Sequence, residues 1–223
     1  LAQAIATSDN IFAVKTHLFL GEQTLVNLLS KFNITHVSPQ PSLALGAFNS
    51  NIYQMSSIYT TFANMGIYNE LHTIEKITNN EGKLLYQRTD LKQQKLSQDS
   101  CLILSQLLTS TFNEKLKSYA SPTMMNYKTK NTFAAKTGTS PYDSLCIGYN
   151  PNYVIAGWVG YDDNRELTGT TKTRIPKAIF QTMANYLQKK ESWYTLNNHL
   201  QAVPINPLTG EYQQNGIIYW FKK

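Results

Sequence analysis

Apolar residues recur every three or four positions in the first third of the chain, and this spacing predicts helices. One predicted helix runs from Leu1 to Ala6, and a second begins at Ile11. The polar corner Thr7-Ser8-Asp9-Asn10 separates them, and its residue types are those that cap helix ends. Further helices are predicted over 22–32, 52–65 and 97–114, and after Pro176, where Ile175, Ile179, Met183 and Tyr186 are spaced to cover a sheet.

Runs of β-compatible residues occupy the rest of the chain. Segments 73–78 and 83–87 flank the turn residues 79–82 and predict a hairpin. Strands are predicted at 133–140, 145–149 and 153–161, and the last is apolar on both faces, which predicts a buried central strand. Two short runs, 200–205 and 216–221, predict a small β-like extension over 192–223 after a main unit of 1–191. The mixture of elements predicts an α+β fold.

Composition narrows the class of protein. The chain has 223 residues, 42% of them hydrophobic, and a formal net charge of +6 with only 15% charged residues. Its lysines are scattered among polar residues, so a nucleic-acid patch is weakly supported and a nucleic-acid partner is not expected. Attraction to an anionic surface or polymer explains the positive charge equally well. The two cysteines are predicted to be buried thiols, and the four histidines show no ligand spacing, so a zinc site is not expected.

The stretch Lys136-Thr137-Gly138-Thr139 is the first candidate for chemistry. In an extended strand Lys136 and Gly138 project to one face and the two threonines to the other, while Gly138 leaves the backbone open to a second chain. An ammonium group beside hydroxyl groups suits a carboxylate, so a peptide with a free carboxyl end is the expected ligand. The four residues by themselves fit an ordinary edge strand with a solubilising lysine equally well.

A Ser-Asp-Asn corner at Ser8 followed by Lys-Thr-Gly-Thr at Lys136 supplies two of the three motifs of serine acyl transferases. Here the sequence resembles the transpeptidase domain of penicillin-binding proteins, and more narrowly the bifunctional class A type. The resemblance runs in collinear order over roughly residues 1–190 and is carried also by 42–46, 55–66, 82–86, 148–151 and 158–164.

One motif of the family is missing. No serine in this chain is followed three places later by lysine, so the Ser-x-x-Lys nucleophile pair is absent. The resemblance implies that this pair, its helix and two sheet strands lie ahead of Leu1, and that the fragment by itself is inactive. The sequence departs from the family pattern at a second place. Asp143 lacks the aromatic residue that usually follows it, and the loop 140–142 is short, which affects the shape expected for the rim of the substrate cleft.

The resemblance also implies roles for residues. Ser8, Asn10 and Lys136 are the expected catalytic residues: Ser8 passes a proton to the leaving amine, Lys136 polarises Ser8, and Asn10 binds the substrate and the missing lysine. Thr137, Gly138 and Thr139 are the expected substrate-binding residues. From the residues alone, without the downstream Lys-Thr-Gly-Thr, Ser8 and Asn10 are interpreted as helix caps.

The fold that the resemblance implies is the β-lactamase-like one, with an antiparallel sheet flanked by helices, a helical lobe and a cleft between them. The implied activity is the cross-linking of peptidoglycan by acyl transfer from D-Ala-D-Ala stem peptides, with β-lactams as mimics of the substrate. A carboxypeptidase or β-lactamase-like hydrolase, and a non-catalytic β-lactam-binding or structural module, remain open. The family further implies an upstream glycosyltransferase domain and a membrane anchor that holds the protein on the extracytoplasmic face of the bacterial membrane.

Overall fold

The computed structural model describes residues 1–89, 92–169, 172–187 and 192–223. These residues form an α+β fold in which helices surround small antiparallel sheets. The helices are α1 (Ala2–Thr7), α2 (Asn10–Leu20), α3 (Glu22–Ser30), α4 (Ile52–Ala63), α5 (Gln98–Leu108) and α6 (Ile175–Tyr186). The strands are β1 (Ile67–Tyr68), β2 (Lys76–Thr78), β3 (Leu84–Gln87), β4 (Gln93–Gln94), β5 (Ala134–Thr139), β6 (Asp143–Tyr149), β7 (Val154–Gly160), β8 (Leu200–Ile205) and β9 (Ile217–Lys222).

The largest sheet has the order β5-β6-β7, and both of its strand pairs are antiparallel. The prediction that the apolar strand at 153–161 is central is wrong for the described residues, because β6 lies in the middle and β7 pairs on one side only. Trp158 on β7 is 42% exposed. The neighbours of β7 in the described part of the chain therefore leave some of its apolar surface exposed.

Helices cover both faces of this sheet. On one face Ala135 and Cys146 pack with Phe180 and Ala184 of α6. On the other face Ala134 and Tyr149 pack with Leu108 at the end of α5 and with aromatic residues of α4. Tyr149 is fully buried, and its hydroxyl shares a hydrogen bond of 3.0 Å with Ser105 Oγ, so the buried phenol is satisfied. The sheet is thus held rigidly between two layers of helices.

Helix α6 packs on the sheet through a different face from the predicted one. Ile175, Ile179, Met183 and Tyr186 were the residues expected to cover the sheet, yet they are 41–76% exposed. The buried face carries Pro176, Phe180 and Ala184 instead.

Two glycines of the sheet explain why α6 packs through the face of Pro176 and Phe180. A Cβ atom at Gly148 would lie 2.4 Å from Phe180 Cε2, and one at Gly157 would lie 3.1 Å from the carbonyl oxygen of Pro176. The side chain of Phe180 and the backbone of Pro176 therefore lie directly on strands that offer no side chain at these points.

Several predicted ends need smaller corrections. The helix predicted over 97–114 is capped by Ser97, whose side chain accepts a hydrogen bond from the Ser100 amide. Its α-helical part ends at Leu108, and the chain continues as short 3₁₀ turns over Thr109–Phe112 and Glu114–Leu116.

Asn51 caps α4 through a reciprocal pair of hydrogen bonds with Gln54. Both predicted cysteine thiols are buried, as expected.

The strand pair β8–β9 packs against α5. Tyr219 is buried, and its hydroxyl shares a hydrogen bond of 3.2 Å with Ser110 Oγ, while Gln106 Nε2 donates to the carbonyl of Ile218 at 2.8 Å. The predicted β runs at 200–205 and 216–221 are confirmed as strands, whereas the division of the chain at residue 191 stays a prediction. Within the described ranges no helix has the length and apolar character needed to cross a bilayer.

Gly148→Ala tests the close approach of α6 to the sheet. The added methyl group would overlap the Phe180 ring, so we expect the free energy of unfolding to fall by about 1–3 kcal/mol. Thermal or denaturant unfolding of the protein measures the change. Gly138→Ala is the matched control in the same sheet, because no atom lies within 4 Å of the Cβ position there. Equal stabilities of the two variants would contradict the packing described here.

Candidate active site

The polar corner between α1 and α2 places Ser8 in a constrained conformation. Ser8 ends α1 with φ 57° and ψ 51°, the left-handed region that non-glycine residues seldom adopt. Asp9 is the N-cap of α2 and accepts a hydrogen bond from the Phe12 amide at 2.8 Å. Capping is therefore the role of Asp9, and the Ser8 hydroxyl remains available for other contacts.

The loop before β5 forms hydrogen bonds with this corner and with the end of α1. The Tyr119 hydroxyl donates to Asp9 Oδ2, and this hydrogen bond is the main cause that lowers the pKa of the Asp9 carboxyl. The Thr123 amide donates to the carbonyl of Ala6 at 2.9 Å. The sequence did not indicate Tyr119 as part of the site, because residues 118–131 show neither periodicity nor a motif and only the fold brings them to the corner.

Lys136 on β5 reaches the same corner. Its Nζ donates to Ser8 Oγ at 2.7 Å and to the carbonyl of Thr137 at 2.6 Å. Ser8 and Lys136 are 128 positions apart in the sequence, so only the packing of α1 and α2 beside the sheet joins them. The fold thus brings together two of the three predicted catalytic residues, and their catalytic roles stay predictions.

Burial changes the electrostatics of Lys136. Removal from water lowers the pKa of its ammonium group, and the charge of Lys177 lowers this pKa further. The neighbouring thiol of Cys146 is buried, and its pKa is raised to about 12, so the thiol is neutral at pH 7. Within the described ranges no carboxylate forms an ion pair with Lys136. A partly buried cation without a counter-ion is a favourable place for an anionic ligand.

The predicted substrate-binding residues line the free side of β5. Thr137 pairs in register with Cys146 and Thr139 with Ser144, so β6 occupies one edge of β5 only. Among the described residues the other edge has no strand partner, which confirms the predicted edge strand. Exposure rises from Lys136 to Gly138 and Thr139, and an extended peptide has room to pair there.

Asn10 is the first residue of α2 and is exposed beside the corner. Asp9 is the N-cap of α2 and accepts from the Phe12 amide, so Asn10 is not the cap, and its catalytic role stays a prediction. The sequence alone left both roles open.

The short turn between β5 and β6 is fixed by Ser140. Its hydroxyl donates to Asp143 Oδ1 at 2.7 Å and accepts hydrogen bonds from the amides of Tyr142 and Asp143. The Leu167 amide donates to the carbonyl of Pro141 at 2.9 Å and ties the turn to the segment that follows β7. The cleft rim is therefore short and stiff, which is the local departure that the sequence predicted.

A cleft of about 640 Å³ lies between this end of the sheet and the N-terminus of α4. Gly138, Leu145 and Trp158 line it from the sheet, and Asn51 and Met55 line it from α4. On β5 the lining of the cleft begins at Gly138, two residues after Lys136. No group of three or more metal-binding side chains occurs among the described residues.

Comparisons with known proteins agree with this geometry. The family model of the penicillin-binding protein transpeptidase domain matches residues 1–190. Penicillin-binding protein 2D of Bacillus subtilis is 35% identical over 216 residues, which cover 94% of this chain and 31% of that protein. The chain therefore spans about a third of the length of this relative.

Solved structures share the fold. Penicillin-binding protein 1A from Haemophilus influenzae matches all of this chain and 39% of its own chain, with a TM-score of 0.85 and 21% identity. PonA1 from Mycobacterium tuberculosis in complex with penicillin V matches 73% of this chain and 46% of its own, with a TM-score of 0.57 and 22% identity. Since the family model spans most of the sequence, this chain belongs to the penicillin-binding protein transpeptidase domain family.

Proposed function

We propose that the chain is the C-terminal part of a serine D,D-transpeptidase that cross-links peptidoglycan stem peptides ending in D-Ala-D-Ala. The observation that carries the proposal is the 2.7 Å contact of Lys136 Nζ with Ser8 Oγ, beside an edge of β5 that no strand of the described residues pairs with. It is supported by membership of the transpeptidase family and by the penicillin V bound to the structurally similar PonA1.

The proposed reaction has two steps. A serine hydroxyl attacks the carbonyl carbon of the penultimate D-alanine and gives its proton to the lysine of the Ser-x-x-Lys pair. The peptide C–N bond breaks as Ser8 passes its own proton to the leaving D-alanine amine, and that lysine then restores the proton of Ser8. An amine of a second stem peptide then attacks the ester, which forms a new amide and breaks the ester bond, and a proton of that amine returns to the serine oxygen. In both steps Lys136 donates to Ser8 Oγ, which leaves the single proton of that hydroxyl available for exchange with the reacting nitrogen.

Strand β5 would bind the substrate in the same steps. The peptide would pair with the free edge of β5, while Lys136 and the hydroxyls of Thr137 and Thr139 attract its terminal carboxylate. Gly138 keeps that edge open, since no atom stands within 4 Å of its Cβ position. The Thr139 amide would donate to the oxyanion that forms during acyl transfer.

The nucleophile itself belongs, in this proposal, to an upstream segment of the same protein. The chain has no Ser-x-x-Lys sequence, and an isolated 1–223 chain is expected to be inactive. Three apolar surfaces of the described residues support such a partner: the open edge of β7, the exposed stripe of α6, and α2, on which Ile11, Leu18 and Phe19 are 50–88% exposed. An upstream helix and strands would cover them and fill the adjoining cleft.

The same proposal extends to location. A glycosyltransferase domain and a membrane anchor ahead of this chain would hold the site on the extracytoplasmic face of the bacterial membrane, where peptidoglycan lies. The B. subtilis relative is about three times as long as its match to this chain, which leaves room for such domains.

Two alternatives use the same site differently. A D,D-carboxypeptidase or β-lactamase-like hydrolase would transfer the acyl group to water, and the solvent-exposed edge of β5 is open enough for that. A non-catalytic β-lactam-binding module would need the carboxylate site but no acceptor. The experiments below separate these outcomes.

Lys136→Ala tests the assigned site. In the full-length protein we expect covalent labelling by a fluorescent penicillin to fall at least 100-fold, because the variant loses both the cation and the donor to Ser8. Gel fluorescence over time gives the labelling rate. Lys128→Ala is the matched control, since Lys128 is exposed and pairs with Glu114 on the surface at 3.5 Å. Unchanged labelling of the Lys136 variant would refute the site.

Lys136→Arg tests the charge state of this cation. Burial lowers the pKa of Lys136, so the charged form, and with it carboxylate binding, is lost as pH rises through a value below that of ordinary lysine. Arginine keeps its charge, so we expect the alkaline fall of the labelling rate to shift to higher pH in the variant. The rate is measured from pH 6 to 10. An alkaline limb at the same pH in both proteins would show that Lys136 does not control it.

Product analysis separates the transpeptidase from the hydrolase. The full-length protein, given a D-Ala-D-Ala stem peptide and a second stem with a free amine, is expected to release D-alanine and form the cross-linked dimer. Mass spectrometry distinguishes the dimer from the shortened monomer. Shortened monomer alone would favour a carboxypeptidase, and labelling by penicillin without either product would favour the binding module.

A further inference from the structure

Tyr119 joins the loop before β5 to the corner that carries Ser8. Its hydroxyl donates to Asp9 Oδ2, while Asp9 Oδ1 accepts a hydrogen bond from the Phe12 amide at 2.8 Å. One carboxylate therefore links the loop to the first turn of α2. The Tyr119 side chain is 70% exposed, so its contribution to the corner is the contact of its hydroxyl and not the burial of its ring.

The same loop is attached to α1 at two further points. The side-chain amide of Gln3 donates to Ser118 Oγ, and the Thr123 amide donates to the carbonyl of Ala6 at 2.9 Å. These two contacts lie on either side of Tyr119 in the sequence. The loop therefore follows α1 to its end, and Tyr119 reaches the corner from a segment that is held on both sides.

The loop is itself anchored in the core of the protein. Met124 is fully buried in the cluster that contains Phe133 and Phe180. Its amide donates to the carbonyl of Thr111 at 2.9 Å. Tyr119 thus connects the corner to a part of the chain that is fixed by packing against the sheet and α6.

The backbone of Ser8 makes the corner depend on such support. Ser8 adopts φ 57° and ψ 51°, a conformation that a residue with a Cβ atom keeps only where its surroundings hold it. The next residue is Asp9, whose amide donates to the carbonyl of Ala4 at 2.9 Å and whose side chain is held by Tyr119. A shift of Asp9 would turn the Ser8 backbone and move Oγ away from Lys136 Nζ.

We propose that Tyr119 is a positioning residue for acyl transfer, which holds the Asp9 carboxylate and thereby keeps the Ser8 hydroxyl within reach of Lys136. The inference rests on the proposed function and adds to it a residue that belongs to neither sequence motif. Tyr119 does not touch the reacting atoms. It acts through Asp9 on the step in which Ser8 transfers a proton, and it leaves the carboxylate-binding strand β5 unchanged.

The same hydrogen bond influences the pH at which the corner weakens. It is the main cause that lowers the pKa of Asp9, and the Phe12 amide and the charge of Lys15 act in the same direction. A carboxylate with a lowered pKa contributes its contacts above that pKa and loses them as pH falls through it. Removal of the Tyr119 hydroxyl raises the pKa of Asp9, so this loss moves to higher pH.

Tyr119→Phe in the full-length protein tests the inference. Labelling by a fluorescent penicillin over a range of concentrations separates the dissociation constant of the first complex from the rate constant of acylation. We expect the rate constant to fall about 3- to 10-fold, as for one net hydrogen bond. The dissociation constant stays unchanged, because Lys136, Thr137 and Thr139 are untouched. Tyr212→Phe is the matched control, since Tyr212 is 71% exposed between β8 and β9.

Two Asp9 variants identify the route of the effect. Asp9→Ala removes the acceptor, so Tyr119→Phe added to it is expected to cause no further loss. Asp9→Asn keeps a cap and an acceptor without a titrating carboxyl, and it serves if the alanine variant unfolds. With Asp9 present, Tyr119→Phe shifts the acid limb of the acylation rate, measured from pH 4 to 8, to higher pH. With Asp9→Asn it lowers the rate without this shift.

An unchanged acylation rate constant in Tyr119→Phe would overturn the inference. So would a rise of the dissociation constant that matches the fall of the rate constant, because that result indicates a general structural loss. A further loss on top of Asp9→Ala would contradict the route through Asp9. Each of these failures leaves the proposed function intact, since that function fails only if Lys136→Ala still labels normally or the wild type does not label.

Discussion

The candidate site depends on the hydrogen bond from Lys136 Nζ to Ser8 Oγ. Its two ends belong to elements with little in common: a left-handed serine between two helices and a lysine on the edge of a sheet. Each end is fixed by other contacts, since Asp9 caps α2 and β6 pairs with β5 along its whole length. A polar contact of 2.7 Å at a partly buried position is only maintained when both backbones are held in this way.

The three-layer arrangement supplies that rigidity. Helix α6 lies directly on the glycines of β6 and β7, and the opposite face is sealed by Tyr149, whose hydroxyl is satisfied by Ser105. The sheet therefore carries a dry, closely packed interior up to Ala135, and exposure rises only from Lys136 onward. This gradient explains why the lysine is both positioned and accessible, and why its pKa is lowered by burial.

The electrostatics give the site its chemical preference. Lys136 brings a positive charge to the strand edge, and the neighbouring thiol of Cys146 is neutral at pH 7. This charge favours an anionic ligand end, which suits a peptide carboxylate or a β-lactam. Ser140 fixes the short turn at the rim of the cleft. From this turn the cleft extends toward α4, so the sheet bounds it on one side and the helix bounds it on the other.

The sequence by itself indicated most of the helices and strands and the corner at Ser8, because these follow from periodicity and capping chemistry. Short motifs in collinear order indicated the family and the strand of Lys136. Only the tertiary structure decided which face of α6 is buried, that β6 rather than β7 is central among the described residues, and that Tyr119 contacts Asp9 at the corner beside the site. Side-chain spacing shows that a helix has an apolar face, but glycines on another strand select which side packs, and no local pattern records a contact between residues more than a hundred positions apart.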